Sequence, residues 1–539
     1  MKVALAQINP IIGAFDYNLS KILKKIDQAI EKNCDLIVFS EMALTGYPPK
    51  DVLEKKEFVT NLPVSKLIKK ANGIGVICGW VEYKDDCLYN TAALFENGQI
   101  IHKAYKRLLP VYDVFDERRF FTPGKECDIF NYKNHMIGLT ICEDIWNDSD
   151  FFGGSAYDLD PVKKMVQKGA NCIINISASP FYLGKGLLKK RMLKSMSQKY
   201  KVPFIYVNQV GGNDSIIFDG HSMVYDHEGS IKARAKDFEE DIIFYDTKSN
   251  KGEINQVSDS DEDTLLKALV LGTRDYVHKC GFKKVIIGLS GGIDSALTTA
   301  IAVEALGKEN VQTIYMPSIY TSQDNDVDTK KLAENFGIKR DVIPIDSIFD
   351  QFLHTLPDDF DKNSHGLAEQ NLQARIRGTT LMAFSNKYNA LVLTTGNKSE
   401  LAVGYCTLYG DMNGALAVIS DLPKAIVYKL SMYINRDKER IPLRIIEKAP
   451  SAELKPDQKD QDDLPEYTDL DIILKAYIED NRSVDYIVNM GFSRKLVTDI
   501  IQRIYNNEYK RQQAPIGLKV TSKAFGDGRR YPIAHKAVL

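Results

Sequence analysis

Gly288-Leu289-Ser290-Gly291-Gly292-Ile293-Asp294-Ser295 decides the fold of the second half of this chain. Lys284 to Leu289 is a short apolar run with the length of a buried strand, and Ile293 to Leu306 has the pattern of a helix. Two glycines at the junction let the backbone turn tightly and approach a ligand. The helix that follows presents unpaired N–H groups and the positive end of its dipole, a site for phosphate. No Gly-Lys-Ser/Thr closes the loop, so it is not a Walker A loop. Asp294 is placed to hold Mg²⁺ on bound phosphates. The plainer reading is a strand-to-helix turn capped by Asp294 and Ser295.

Outward from this loop the pattern repeats. Val311 to Met316 predicts a strand, Gln323 to Phe336 a helix and Val342 to Ile345 a strand. A long helix is expected over Leu367 to Asn386, then a strand over Leu391 to Thr394. That is a doubly wound α/β arrangement. Ser451 to Tyr467, charged and containing Pro456 and Pro465, reads as a mobile loop. Upstream, Asp246 to Asp263 has two apolar residues in eighteen and reads as a linker. The division is therefore 1–245, a linker 246–263, and 264–539.

The first part alternates strands and helices as well. Val3 to Ile8, Leu36 to Phe39, Gly75 to Trp80, Met136 to Cys142, Cys172 to Ile176 and Phe204 to Asn208 carry the strand signal. Tyr17 to Lys32 has helical spacing. This predicts sheets covered by helices. With 539 residues, more than one domain is expected. The 70 basic residues balance 72 acidic ones, which gives no electrostatic reason for nucleic acid or an anionic membrane as partner. Lys189-Lys190-Arg191 reads as a solvated helix face. Eight cysteines without a C-x-x-C pair exclude a zinc ribbon and are too sparse for a disulfide scaffold. No secretory h-region or membrane-length apolar run is present, so a soluble, cytoplasmic protein is expected.

Four segments of the first part carry chemistry. Phe39-Ser40-Glu41-Met42 follows a buried strand, and Tyr105-Lys106-Arg107-Leu108-Leu109-Pro110 precedes Phe115-Asp116-Glu117-Arg118-Arg119. Gly138-Leu139-Thr140-Ile141 runs straight into Cys142-Glu143-Asp144. A nucleophile on a sharp turn at a strand end is held exposed. A lone cysteine is usually a small buried hydrophobe, the reading given to Cys34, Cys78 and Cys172. Histidines His102, His221 and His227 are read as structural.

The ordered Glu, Lys and Cys segments resemble the carbon–nitrogen hydrolase (nitrilase) superfamily over residues 1–245. The resemblance implies an α-β-β-α sandwich in which Glu41 is general base, Lys106 stabilises the oxyanion and Cys142 forms a thioester. Glu117 resembles the superfamily's second glutamate, which orients the lysine and the substrate. Ser290-Gly291-Gly292-Ile293-Asp294-Ser295 resembles the signature of the ATP pyrophosphatases. With Asn371 to Arg377, Thr394 to Glu400, Leu408 to Met412, Leu454 to Asp460 and Glu508 to Arg511, it resembles the NAD synthetase family over residues 265–511. That resemblance implies a PP-loop ATPase domain making NAD from nicotinic acid adenine dinucleotide (deamido-NAD) through an adenylate.

ATP would bind at Leu289, Ser290, Gly291, Gly292, Ile293, Asp294, Ser295, Ala296 and Thr395. Deamido-NAD would bind at Asn371, Glu400 and Lys510. Mg²⁺ accompanying ATP would lie at Asp294 and Glu400, and no tightly bound organic cofactor is expected. Tyr112, Ser179 and Lys185 match positions that hold glutamine in members taking nitrogen from it. The partners implied are glutamine, ATP and deamido-NAD, with no nucleic acid and no membrane. Relatives of both halves usually pair, which implies at least a dimer. Another PP-loop amidotransferase is the runner-up, opposed by the Asn371–Arg377 segment, Glu400 and Lys510. Decayed sites are opposed by intact Glu41, Lys106, Cys142 and Asp294, and a tRNA-modifying enzyme by the balanced charge.

Overall fold

The computed structural model describes residues 1–258, 260–357, 360 and 366–536. The chain divides into two compact units, Met1–Asp259 and Ser260–Leu539.

The first unit is built on two sheets. One runs in the order Lys251–Gly252, Asp241–Asp246, Lys2–Gln7, Leu36–Phe39, Gly75–Lys84, Cys87–Glu96 and Gln99–Tyr105. The other runs Ile231–Arg234, Met223–Tyr225, Phe204–Asn208, Cys172–Ser177, His135–Ile141 and Ile129–Tyr132. Side chains alternate across a strand. Val3, Leu5, Leu36 and Val38 therefore face the second sheet, packing with Leu139, Ile141, Ile174 and Val207. Ala4, Ala6, Ile37 and Phe39 face the other way, onto Leu19, Ile22 and Ile26 of the helix Phe15–Glu31. Ile173, Phe204 and Tyr206 on the far face of the second sheet meet Val162 and Met165 of Pro161–Gln167, and Met192 and Met196 of Lys185–Tyr200. The layers are helix, sheet, sheet, helix, the α-β-β-α sandwich that the resemblance implies.

Two local readings change. Lys189 is not on a solvated face: it is fully buried, with Nζ 2.8 and 2.9 Å from the Asp219 carboxylate oxygens. The polar stretch 246–263 contains structure. Lys251–Gly252 pairs with Tyr245 and Asp246, and Ile254 bridges to Arg234. The helix Asp261–Lys279 starts within it, with the Ser260 hydroxyl accepting from Asp263 N at 3.0 Å.

The second unit has one parallel sheet, ordered Lys339–Val342, Val311–Tyr315, Lys284–Gly288, Ala390–Thr394, Leu416–Ala417 and Ile516–Gly517. In chain order that is 3-2-1-4-5-6, so the winding reverses between Lys284–Gly288 and Ala390–Thr394. Doubly wound sheets bind ligands outside the strand carboxyl ends at that reversal. The expected strand Val342–Ile345 lies instead at Lys339–Val342. Ile343 N still donates to Tyr315 O at 2.8 Å, but Pro344 has no N–H to continue the ladder. Helix Leu367–Tyr388 covers the sheet centre, with Ile376 and Leu381 against Ile286, Ile314 and Val392. Ile293–Leu306, Asp261–Lys279 and Lys424–Ile434 pack together. Among the described residues no helix is long and apolar enough to cross a membrane.

Candidate functional sites

In the first unit the sheet ends bring three acids, an ammonium and a thiol together. The strand His135–Ile141 stops at a 3₁₀ turn, Cys142–Ile145, in which Cys142 has φ +43°. A non-glycine residue in this left-handed region is strained, a cost that clusters at functional sites. Asp144 pins the turn: its Oδ2 accepts from Ile141 N (3.1 Å), and its Oδ1 from Arg107 N (2.9 Å) and Leu108 N (3.0 Å). The buried Arg107 guanidinium completes the clasp, 3.1 Å from Asp144 Oδ2. Lys106, the residue before Arg107, is thereby fixed relative to Cys142.

Lys106 Nζ lies 2.8 Å from Glu41 Oε1 and 2.7 Å from Glu117 Oε1, and all three side chains are buried. Glu41 is further held by Asn90 Nδ2 at 2.6 Å and by Ala178 N, which donates to Oε2 at 2.7 Å. The Tyr47 hydroxyl donates to Glu117 Oε1 at 2.8 Å. Burial opposes charge on Lys106, but the Glu117 and Glu41 carboxylates outweigh it and hold the ammonium pKa well above its usual value. Burial raises Glu117 to about 7 against the pull of Lys106. Burial, reinforced by the Glu41 charge, pushes the Cys142 thiol well up, so it rests protonated with a carboxylate at hand.

Beside Cys142, the buried Glu143 accepts hydrogen bonds from the Tyr112 hydroxyl (3.0 Å to Oε2) and the Tyr157 hydroxyl (3.0 Å to Oε1). Lys185 acts electrostatically on Glu143, and its Nζ sits 5.5 Å from the ring centres of Trp146 and Tyr182. Ser179 is buried, with its N–H donating to Asn208 Oδ1 at 2.9 Å.

In the second unit a cavity of about 280 Å³ opens at the winding reversal. Leu289 to Ser295 line it, together with Thr395 and Glu400. Gly291 has φ +91°, and a Cβ there would come within 2.7 Å of Asn325. Asp294 Oδ2 lies 2.6 Å from Lys424 Nζ, which is also 3.0 Å from Glu400 Oε1. Asn397 Nδ2 donates to Asp294 Oδ1 at 2.9 Å and its Oδ1 caps the helix Lys398–Val403 by accepting from Glu400 N. Burial, opposed by Lys424 and reinforced by Asp294, raises Glu400 to about 7. Asp294 and Glu400 thus share one ammonium, and Asp460 adds a third acid to the cavity lining. Among the described residues no group of three or more metal-ligating side chains is found, but Asp294 and Glu400 beside the phosphate loop are the one or two carboxylates that Mg²⁺ takes when phosphates and water complete its shell.

The carbon–nitrogen hydrolase family model matches residues 2–253 and the NAD synthase model residues 265–514. A glutamine-dependent NAD(+) synthetase from Synechocystis sp. is 47% identical over 547 residues, covering 99% of this chain and 98% of that one. The chain belongs to the glutamine-dependent NAD(+) synthetase family. The family member from Acinetobacter baumannii, solved in complex with ADP, is 40% identical, covers 99% of this chain and 98% of its own, and superposes with a TM-score of 0.78. The member from Cytophaga hutchinsonii, at 21% identity, shares the fold with a TM-score of 0.84 over 99% of this chain and 97% of its own.

Against that family background, Glu41, Lys106, Glu117 and Cys142 cluster in one unit, with Tyr112 and Lys185 grouped around Glu143. Leu289 to Ser295, Thr395 and Glu400 line the cavity in the other unit; Ala296, Asn371 and Lys510 are not among its lining residues. Asn371 Oδ1 accepts from the Thr407 hydroxyl at 2.8 Å, and Thr407 does line it. Lys510 Nζ donates to Gly404 O and Cys406 O, both at 2.8 Å. Lys424 and Asn90 lie outside the segments that the sequence singles out, and Glu143 and Asp144 lie inside the cysteine segment without a role. Glu143 and Asp144 adjoin the cysteine, which was signal enough to find them; Lys424 and Asn90 had none.

Proposed function

We propose that this chain releases ammonia from glutamine in its first unit and uses it in its second to convert deamido-NAD to NAD, consuming ATP. The reading rests above all on one observation: the buried Glu41–Lys106–Glu117 array beside a strained cysteine, in a chain that also carries a phosphate loop at the winding reversal.

The thiol of Cys142 attacks the glutamine side-chain amide while Glu41 takes its proton. Lys106 Nζ has a third N–H beyond those given to Glu41 and Glu117, and this one faces the oxyanion of the tetrahedral intermediate. Glu117, steadied by Tyr47, keeps that ammonium in place. The C–N bond breaks, the proton returns from Glu41 to the leaving nitrogen, and ammonia departs. Glu41 then activates water to cleave the thioester, giving glutamate. Glu143, with Tyr112 and Lys185, would receive the charged end of the amino acid, its carboxylate taking the α-ammonium.

In the second unit the deamido-NAD carboxylate attacks the α-phosphorus of ATP, pyrophosphate leaves, and ammonia displaces AMP from the acyl-adenylate. The loop N–H groups of residues 290–295 and the helix dipole hold the departing phosphates. Lys424 adds a fixed positive charge. Asp294 and Glu400 would hold Mg²⁺, which when bound neutralises phosphate charge.

The test is selective loss. Cys142→Ala is expected to abolish NAD formation from glutamine and keep formation from added ammonia, while Asp294→Ala removes both. NAD production from glutamine by the Cys142→Ala protein would contradict the reading, as would release of ADP and phosphate in place of AMP and pyrophosphate.

A further inference from the structure

Residues 515–539 carry no motif, yet residues 516–529 are built into the second unit, with Leu518, Lys519, Val520, Ala524 and Arg529 buried. Ile516–Gly517 adds the last strand to the sheet, parallel to Leu416–Ala417. Directly after it, Val520 N and Thr521 N donate to Asp421 Oδ2 at 2.8 and 2.7 Å, and the Thr521 hydroxyl lies 2.9 Å from both Asp421 oxygens. Lys398 enters the same knot. Its Nζ is 2.6 Å from Thr521 Oγ1, 2.9 Å from Lys523 O, 3.0 Å from Asp421 Oδ1 and 2.8 Å from Glu479 Oε1. Both Lys398 and Asp421 are 2% exposed. Glu479 closes a π-helical turn, Lys475–Glu479, and also accepts from the Ser522 hydroxyl at 3.1 Å.

This knot does not touch the cavity; it holds what does. Lys398 is the first residue of the helix whose cap, Asn397, grips Asp294 and whose third residue is Glu400. Lys398 N donates to Leu422 O at 2.9 Å, and Lys424 N donates to the Ser399 hydroxyl at 2.9 Å. The starts of Lys398–Val403 and Lys424–Ile434 are therefore one assembly, with Lys398 and Asp421 clamped from below by residues 520–523. Farther along, Arg529 Nη1 pairs with Glu508 at 2.5 Å, in the short helix Glu508–Arg511.

We infer that residues 516–523 are a strap that sets the ATP site, with Thr521, Lys398 and Asp421 as positioning residues that fix Asp294, Glu400 and Lys424 through Asn397 and Ser399. The inference rests on the ATP-dependent reading above. Two carboxylates drawn to one ammonium repel each other, so their geometry holds only if the backbone is fixed. Backbone N–H groups and a buried lysine supply that fixation, and a misplacement of an ångström far from the chemistry is costly.

The experiment measures ammonia-supported AMP formation from ATP and deamido-NAD, with glutaminase activity and a thermal melt on the same full-length proteins. Thr521→Val, nearly isosteric, is expected to raise KM for ATP about tenfold and leave KM for glutamine in the glutaminase assay unchanged. Thr521→Ser restores the hydroxyl and is expected to bring KM for ATP back within about twofold of the starting protein. A part that merely stabilised the fold would lower the melting temperature or the active fraction and leave KM for ATP alone; that result overturns the strap. So does an equal rise in Thr521→Ser. Should Thr521→Val fail to fold, Ser522→Ala, which removes only the bond to Glu479, is expected to raise KM for ATP two- to threefold, and no rise overturns the proposal. If the unaltered protein forms no AMP, the ATP-dependent reading has failed and not the strap.

Discussion

Lys106 is a single ammonium shared by two carboxylates with opposite duties. In the proposed mechanism Glu41 has to stay available as a base, while Glu117 has only to hold the lysine. Burial lifts Glu117 to about 7, so below neutrality it takes up a proton, loses its charge and weakens its grip on Lys106. We expect kcat/KM for glutamine to fall as pH drops through about 7, since that parameter reports ionisations of the free enzyme. Glu117→Gln should lose one to two orders of magnitude in kcat/KM, and its profile should lack that limb; an unchanged acidic limb in Glu117→Gln would assign it to another group. Glu41 and Cys142 are legible because each ends a strand that the apolar pattern finds, whereas Lys106 follows a strand, Gln99–Tyr105, that the pattern does not show, and is legible only through the order of the Glu, Lys and Cys segments. Lys424 was invisible for the opposite reason. In Asp421-Leu-Pro-Lys424 it looks like an ordinary charge at the start of a helix, and only the tertiary fold buries it between Asp294 and Glu400. Lys189 misleads in the same way, as a lysine that periodicity reads as solvated and that pairs with a residue thirty positions away.

At the scale of elements, the cysteine site is a meeting of strand ends, and the strand Gly75–Lys84 shows how closely they meet. At Gly79 a Cβ would lie 2.5 Å from Met42 N and 3.0 Å from Glu41 Cα. The backbone carrying Glu41 rests directly on this glycine, and the crowding is steric, not a matter of φ. Gly79→Ala should push the Glu41 segment outward. Overpacking of this kind costs about 1–3 kcal/mol, and glutaminase kcat/KM should fall at least tenfold with ammonia-supported synthesis unaffected; a glutaminase with normal kcat/KM would refute the close-approach argument. Periodicity finds the strand but not this contact, because nothing in one strand's pattern names its neighbour. Periodicity also misplaces the strand at Lys339–Val342, where the apolar run Val342 to Ile345 outweighs a more polar segment that wins on register with Gln312–Tyr315.

At the scale of the molecule, each unit has hydrophobic clusters drawn from its own residues, such as Leu5, Leu139 and Ile174 in the first, and Ile286, Ile314 and Val392 in the second. A chain of residues 260–539 should therefore fold alone, form NAD from added ammonia and form none from glutamine, as followed by circular dichroism and product analysis. A chain of this length that stayed unfolded would show that the second unit depends on the first. The order of the units has a further consequence. The first unit cannot close until its opening strand, Lys2–Gln7, finds Asp241–Asp246. By then a ribosome has made almost none of the second unit, whose sheet waits for Ile516–Gly517. At about 5–20 residues per second, each nascent polypeptide carries a finished thiol unit for tens of seconds before it owns any place to spend nitrogen.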